Sequence, residues 1–443
     1  MKTLKITSVI ILLTAKAMAQ TTMGLHDCMQ FAVEHSTQIA AEDERLSENS
    51  IDRRDAWLNA LSPSVNASAS VTASSGRIPD PETNMYTTLK TIQDSYNIRG
   101  EITLFNGFEA VNKIKISKIA LLSGKESRKA KQEQICLSTI QHYYNYTYYS
   151  KMSALAERQL QNAERMLQKA RRGYELGSNS QQDVLDKEVF EAEAEFKVAD
   201  YNAMKNKALM DLKSVMFYPA TESLTIDTLI KTENEVQLSD AEQTAQTAIE
   251  SNSAIIASKN TMEIRYLEFK TARWQFAPQI GVEAGWSTYH TEYPENKGMS
   301  ASFSDQFKNN AHKYIGIGIN IPLYNRFNKF SNHSRKKSEY KIAAYEFEEK
   351  RREIENAVYS AYDDAVSAEK SLNAAQKSAE LNQRYLEVAQ KKFELGTISY
   401  IEFNEAYNNY LEAQAQYYNA LYSYIIKNAV VDYYRGKSYL EQF

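Results

Sequence analysis

Ser180, Asp183 and Asp186 follow one another at steps of three, and Ser399, Glu402 and Glu405 repeat that spacing later in the chain. A serine followed three residues on by an acid is the capping-box pattern. The hydroxyl accepts a hydrogen bond from the first helical turn, and the carboxylate reaches back to the serine N–H. Asp186 and Glu405 lie one turn further along the same helix face, where capping does not need them. The chemistry open to such sets is electrostatic: attraction of cations and repulsion of anions. Nothing in the sequence supports catalysis. The six histidines form no cluster at ligand spacing, and no glycine-rich phosphate loop or nucleophile elbow occurs. The sequence therefore reads as a non-enzyme with no cofactor and no metal site.

The elements that must position these acids are two very long helices. Phe327–Leu395 contains neither proline nor glycine, the residues that most reliably break a helix. From Ile354 a seam steps alternately by four and three through Val358, Ala361, Ala365, Ala368 and Leu372, a heptad pattern. At the helical rise such a stretch reaches about 100 Å. Phe108–Tyr174 is its counterpart, interrupted only by Gly124 and Gly173. The two align at a constant offset of 219, which pairs Leu104 with Leu323, Phe108 with Phe327, Ala170 with Ala389 and Ser180 with Ser399. One register holding across both ends of so long a span marks a tandem duplication.

Each half also carries alternating stretches. In the first, Val65, Ala67, Ala69, Val71 and Ala73 alternate with small polar residues, a Ser, Pro and Asn-rich loop follows, and Tyr96–Phe105 alternates again. In the second, Ile280, Val282, Ala284 and Trp286 form one apolar series, and Ile315, Ile317, Ile319, Ile321 and Leu323 form the other. The pattern predicts one hairpin per half, with one apolar and one polar face and strands of about ten residues, enough to cross a bilayer as tilted barrel strand. Tyr96, Trp286, Tyr289 and Tyr314 near the strand ends suit a membrane-interface girdle. Four strands cannot close a barrel, and an open edge is not tolerated in lipid. Several chains must therefore pool their strands, and three would supply about twelve. The polar faces, with Arg99, Glu101 and Glu283, would line the pore.

The N-terminus has the pattern of an export signal, with Lys2 and Lys5, an apolar core from Ile6 to Leu13, and Ala17-Met18-Ala19 before a cut at Ala19. The formal charge is −4, more negative once a lysine-bearing leader is removed, which argues against nucleic acid as a partner. Cys28 and Cys136 could pair in an oxidising compartment or stand as separate buried thiols. The expected domains are a signal peptide at 1–19, a first repeat at 20–237 and a second repeat at 238–443. The first repeat comprises a helix from Leu25 to about Leu61, a strand hairpin at 64–105, a long helix at 108–174, a returning helix at 180–215 and a linker at 216–237. The second comprises helices at 238–277, a strand hairpin at 279–324, a long helix at 327–395, a returning helix at 399–435 and an irregular tail.

This layout resembles the TolC-type outer membrane efflux protein family. The resemblance rests on proline-ended helices entering strands (Leu61-Ser62-Pro63, Ala277-Pro278-Gln279) and on strand-to-helix junctions (Leu104-Phe105-Asn106-Gly107, Leu323-Tyr324-Asn325). It rests also on the turns Tyr174-Glu175-Leu176-Gly177 and Phe393-Glu394-Leu395-Gly396. It covers essentially all of the chain after the leader. It implies a mainly α-helical chain that also contributes four membrane strands. Three copies would build a twelve-stranded β-barrel in the outer membrane of a Gram-negative bacterium, continued by a periplasmic barrel of long helices. It implies a homotrimer that passively conducts efflux or type I secretion substrates from a periplasmic adaptor and an inner-membrane pump to the outside. The alternative is a periplasmic coiled-coil scaffold without pore activity.

By the same resemblance, Glu402 and Glu405 form carboxylate rings at the closed periplasmic end. Asp183, Asp186, Phe393 and Tyr174 belong to this gate. The turns Leu176, Gly177 and Ser178 and Leu395, Gly396 and Thr397 meet the adaptor. Ile398 stands where some members place an arginine that ties the turn shut, which leaves Arg171, Arg172, Lys391 and Lys392 as candidates for a different latch.

Overall fold

The two repeats fold into helical hairpins whose ends agree residue for residue. In the computed structural model, which describes residues 22–79, 84–228, 241–295, 298 and 300–443, the first hairpin is α3 (Glu109–Glu175) and α4 (Gln181–Val215). The second is α8 (Asn328–Glu394) and α9 (Tyr400–Tyr434), and all four boundaries keep the offset read from the sequence. The entries into the long helices match as well. Asn106 and Asn325 each accept a hydrogen bond through Oδ1 from the first helical turn, from Ala110 N and Lys329 N, both at 3.3 Å. Each entry turns through two left-handed residues, Gly107 and Phe108 in one half and Arg326 and Phe327 in the other. The export leader at 1–19 and the end of the 216–237 linker, from 229 onward, lie outside the described residues.

The described chain divides into two units. One comprises the segments up to Ala41, Lys129–Asn252 and Ile354–Phe443, and the other Glu42–Arg128 and Ser253–Glu353. The core of the first gathers Met29, Cys136, Ile140, Leu212 and Tyr422 from α1 (Leu25–His35), α3, α4 and α9, with Met216 at the end of α4. Full burial of each such aliphatic side chain contributes about 1.5–3 kcal/mol. Cys28 and Cys136 are both buried and free of a disulfide, and burial pushes each thiol up to about 12.

The second unit holds an antiparallel sheet in the order β2-β3-β5-β6, formed by Ser64–Pro79, Tyr86–Asn106, Gln279–Glu292 and His312–Asn320. Register sets the faces. Ala67 pairs with Ile98, Ile98 with Trp286, and Trp286 with Lys313, while Val282 pairs with Ile102 and Ile317. One face is thus apolar along most of its length, and away from Tyr96 and Trp286 it is bare: Ile315, Ile317 and Val71 are 79%, 73% and 73% exposed. A patch of this kind calls for lipid or protein cover.

The structure corrects the sequence reading in several places. β2 and β3 are longer than ten residues because the stretch expected as loop keeps the ladder after apolar alternation lapses, with Ser74 and Thr91 hydroxyls 2.7 Å apart. Tyr96 and Trp286 lie on the apolar face, but register places Tyr289 and Tyr314 on the polar one. The first helix breaks at Ser36, whose hydroxyl accepts from Gln38 N and Ile39 N and starts α2 (Thr37–Leu61). The helices expected at 238–277 divide at Asn252 into α5 (Ala241–Ser251) and α6 (Ser253–Trp274). A short helix, α7 (Phe303–Asn309), sits on the sheet with Phe307 against Tyr96 and Trp286. Beyond Arg435 the tail is ordered into α10 (Tyr439–Gln442), because the Glu133 carboxylate accepts from Ser438 Oγ and Tyr439 N. Thr225–Ile226 (β4) pairs in parallel with Thr22–Met23 (β1).

Candidate functional site: the helix turns and the polar strand face

Both long helices end in the same hydrogen-bonded turn. Gly177 N donates to Tyr174 O and Ser178 N to Gly173 O. Gly396 N donates to Phe393 O and Thr397 N to Lys392 O, all within 2.8–3.1 Å. This is the Schellman arrangement, which needs a left-handed residue just past the helix. Gly177 and Gly396 supply it at φ +75° and +70°. Ser178 Oγ and Thr397 Oγ1 add a second bond each to the Gly173 and Lys392 carbonyls. These turns leave Leu176 and Leu395 79% and 77% exposed, with Tyr174 also exposed.

The returning helices start with the capping boxes read from the sequence. Ser180 N donates to Asp183 Oδ2 and Ser399 N to Glu402 Oε2, both at 2.8 Å. Asp183 N and Glu402 N donate back to the serine hydroxyls. The Ser180 backbone N–H and hydroxyl hold the Asp183 carboxyl below its ordinary range, and Ser399 does the same for Glu402. Asp186 accepts from Gln182 Nε2 at 2.8 Å. Glu405 is exposed and takes no part in the cap.

Behind the second turn is an aromatic core that joins the repeats. Phe393 of α8 stacks on Phe403 of α9, centroids 4.6 Å apart and planes 3° apart, while Lys187 Nζ of α4 stands 3.2 Å from the Phe393 centroid. Phe190 meets Phe403, Tyr407 and Tyr400 edge-on. Further along α4, Glu193 accepts from Tyr400 OH at 3.1 Å and Asn404 Nδ2 at 3.4 Å, and Lys197 donates to Asn408 at 2.7 Å. Burial pushes the Lys187 ammonium below its ordinary value, against the pull of Asp186 and Asp183. Of the four latch candidates, Arg171 pairs with Glu188 inside the first hairpin at 3.0 Å. Lys187, which bridges the repeats, was missed. The available signal was its place with Phe190, Ala194 and Lys197 at steps of three and four, where a lysine ordinarily reads as a solvated flank.

On the sheet, Arg99, Glu101 and Glu283 share the polar face and touch. Arg99 is ion-paired with Glu283 and lies 3.5 Å from Glu101. Gly285, opposite Arg99 in the ladder, has Tyr314 lying over it; a Cβ there would fall 2.6 Å from the ring. Among the described residues no group of three or more His, Cys, Asp or Glu is arranged to hold a metal ion. None of the described helices is long and apolar enough to cross a membrane.

The outer membrane efflux protein family model matches residues 37–216 and 244–432. The two matches fall on the two repeats, and the chain belongs to that family. Solved structures share its fold. The outer membrane protein VceC of Vibrio cholerae matches with a TM-score of 0.75 at 13% identity, covering 94% of this chain and 96% of that one. CusC, described as forming a transmembrane channel, matches at 0.74 and 16% identity over 93% and 91%. The Campylobacter jejuni outer membrane channel CmeC matches at 0.73 and 15% identity over 92% and 84%. No curated protein matches by sequence.

Proposed function

We propose that three copies of this chain assemble into an outer membrane channel that passively conducts substrates delivered by a periplasmic adaptor and an inner-membrane pump. The observation that carries the reading is the four-stranded sheet, with a largely exposed apolar face and two edge strands, β2 and β6, whose outer edges have no partner among the described residues. In lipid such edges must be paired and such a face is already solvated. Pooling the sheets of three chains satisfies both demands and encloses the polar faces. Family membership and the solved channels of the same fold support the assignment.

In this reading the helix turns form the periplasmic end. Glu402 and Glu405, with Asp183 and Asp186, place carboxylates around a narrow passage and favour cations. The exposed Leu176 and Leu395, with Gly177, Ser178, Gly396 and Thr397, present the surface that meets the adaptor. The chain conducts, and the pump supplies the energy. The test is planar-bilayer recording of the purified protein. Stepwise conductance from protein that stays in the outer membrane after a salt wash is expected. Recovery in the soluble periplasmic fraction, with no conductance, would contradict the proposal and favour a scaffold.

A further inference from the structure

The polar face of the sheet is almost empty of charge. Following the register across all four strands, the described residues on that face include no Asp, Glu, Lys or Arg other than Arg99, Glu101 and Glu283. Those three are gathered at one place. Glu101 stands directly opposite Glu283 in the β3–β5 ladder, a pairing of like charges that destabilises a sheet. Arg99, two residues along on the same face, is ion-paired with Glu283 and 3.5 Å from Glu101. The Glu283 side chain leans over Gly316, which offers no side chain of its own, and the three charged side chains remain 39–58% exposed. A stabilising ion pair needs one acid. The second acid leaves one net negative charge per chain facing the solvent.

We infer that this triad is a charge filter within the barrel, separate from the acids of the helix turns, and that Arg99 sets its strength. The inference rests on the proposed channel, in which the polar face lines the lumen. Three copies place three net negative charges at one height of a wall that is otherwise neutral. Cations gather at such a ring and anions are repelled within a screening length, about 10 Å, of the wall charges. The guanidinium halves the ring's charge and offsets the repulsion between the facing carboxylates. Removing it therefore strengthens selection, and removing either acid weakens it. An ion pair retained only to hold β3 against β5 gives neither result.

The experiment measures reversal potentials in asymmetric KCl for the full-length channel in planar bilayers, in a background carrying Glu402→Gln and Glu405→Gln. Arg99→Gln is expected to raise the cation-to-anion permeability ratio about twofold, and Glu101→Gln or Glu283→Gln to lower it by a similar factor, the scale of one partly screened charge. Because Arg99→Gln leaves two acids facing each other, the neutral triple variant R99Q/E101Q/E283Q serves as the second test. It keeps side-chain size at both acids, leaves no unpaired charge, and is expected to lower the ratio. A neighbouring Asn97→Cys, treated with a membrane-impermeant cationic thiol reagent, is expected to lose cation conductance. Conducting channels with unshifted ratios in all four charge variants overturn the filter and leave the channel standing. An Asn97→Cys channel that ignores the reagent overturns it too, by removing this face from the lumen. A purified protein that never conducts overturns the channel itself.

Discussion

Lys187 Nζ stands 3.2 Å from the centroid of the Phe393 ring. The contact joins the returning helix of the first repeat to the long helix of the second, and a half-buried ammonium over an aromatic face is worth about 0.5–2 kcal/mol. Lys187→Met keeps the aliphatic stem and removes the charge. It is expected to loosen the tip and raise single-channel open probability, whereas Lys187→Arg keeps the wild-type pattern. Equal open probabilities for Met and wild type would remove this contact from the gate.

Glu402→Gln with Glu405→Gln tests the turn acids. Glutamine serves at the third position of a capping box as glutamate does, so α9 and the assembly should survive. Cation preference in bilayer recordings should fall. An unchanged reversal potential would show that ions are selected elsewhere.

The turns separate a backbone role from a surface role. Gly177→Val and Gly396→Val force a β-branched residue into left-handed backbone and should destabilise the turn by about 1–3 kcal/mol each. Leu176→Glu and Leu395→Glu alter side chains that are almost fully exposed, so thermal stability should move by no more than about 0.5 kcal/mol. Those two are expected to lose crosslinking to the adaptor at unchanged stability. Intact crosslinking and export would place docking elsewhere.

The caps predict a pH response of definite sign. Serine hydrogen bonds lower the Asp183 and Glu402 carboxyls in the folded protein. A depressed acid contributes stability that is present above the unfolded-state value, about 4, and is lost as pH falls through the folded value. Protection of the amides in the first turns of α4 and α9, relative to their intrinsic exchange rates, should fall below about pH 4, and Ser180→Ala should cost about 1 kcal/mol at neutral pH while flattening that response in α4. Protection factors in these turns that are indifferent to acid would contradict the capping role.

Much of this was legible in the sequence because it is local or repeated. Heptad spacing from Ile354, strict alternation from Ser64 and the offset pairing Asn106 with Asn325 each encode a periodic element, and the serine-acid spacing encodes its caps. What escaped depends on partners distant in sequence. Ser438 and Tyr439 are ordered by Glu133, some three hundred residues earlier. Tyr314 lies over Gly285 through a β5–β6 register that alternation within one strand does not give. Lys187 is half-buried only because Phe393, from the other repeat, lies beneath it. Hydrophobic alternation also lapses at Ser74–Gly76, where backbone pairing and hydroxyl bonds hold the strand.

The central claim is that one chain supplies a third of a closed wall. Native mass spectrometry of the mature protein, extracted from outer membranes in mild detergent, tests it most directly. A dominant species at three times the chain mass is the expected result. A stable single-chain species, with its sheet edges and apolar face unpartnered by other copies, would contradict the account.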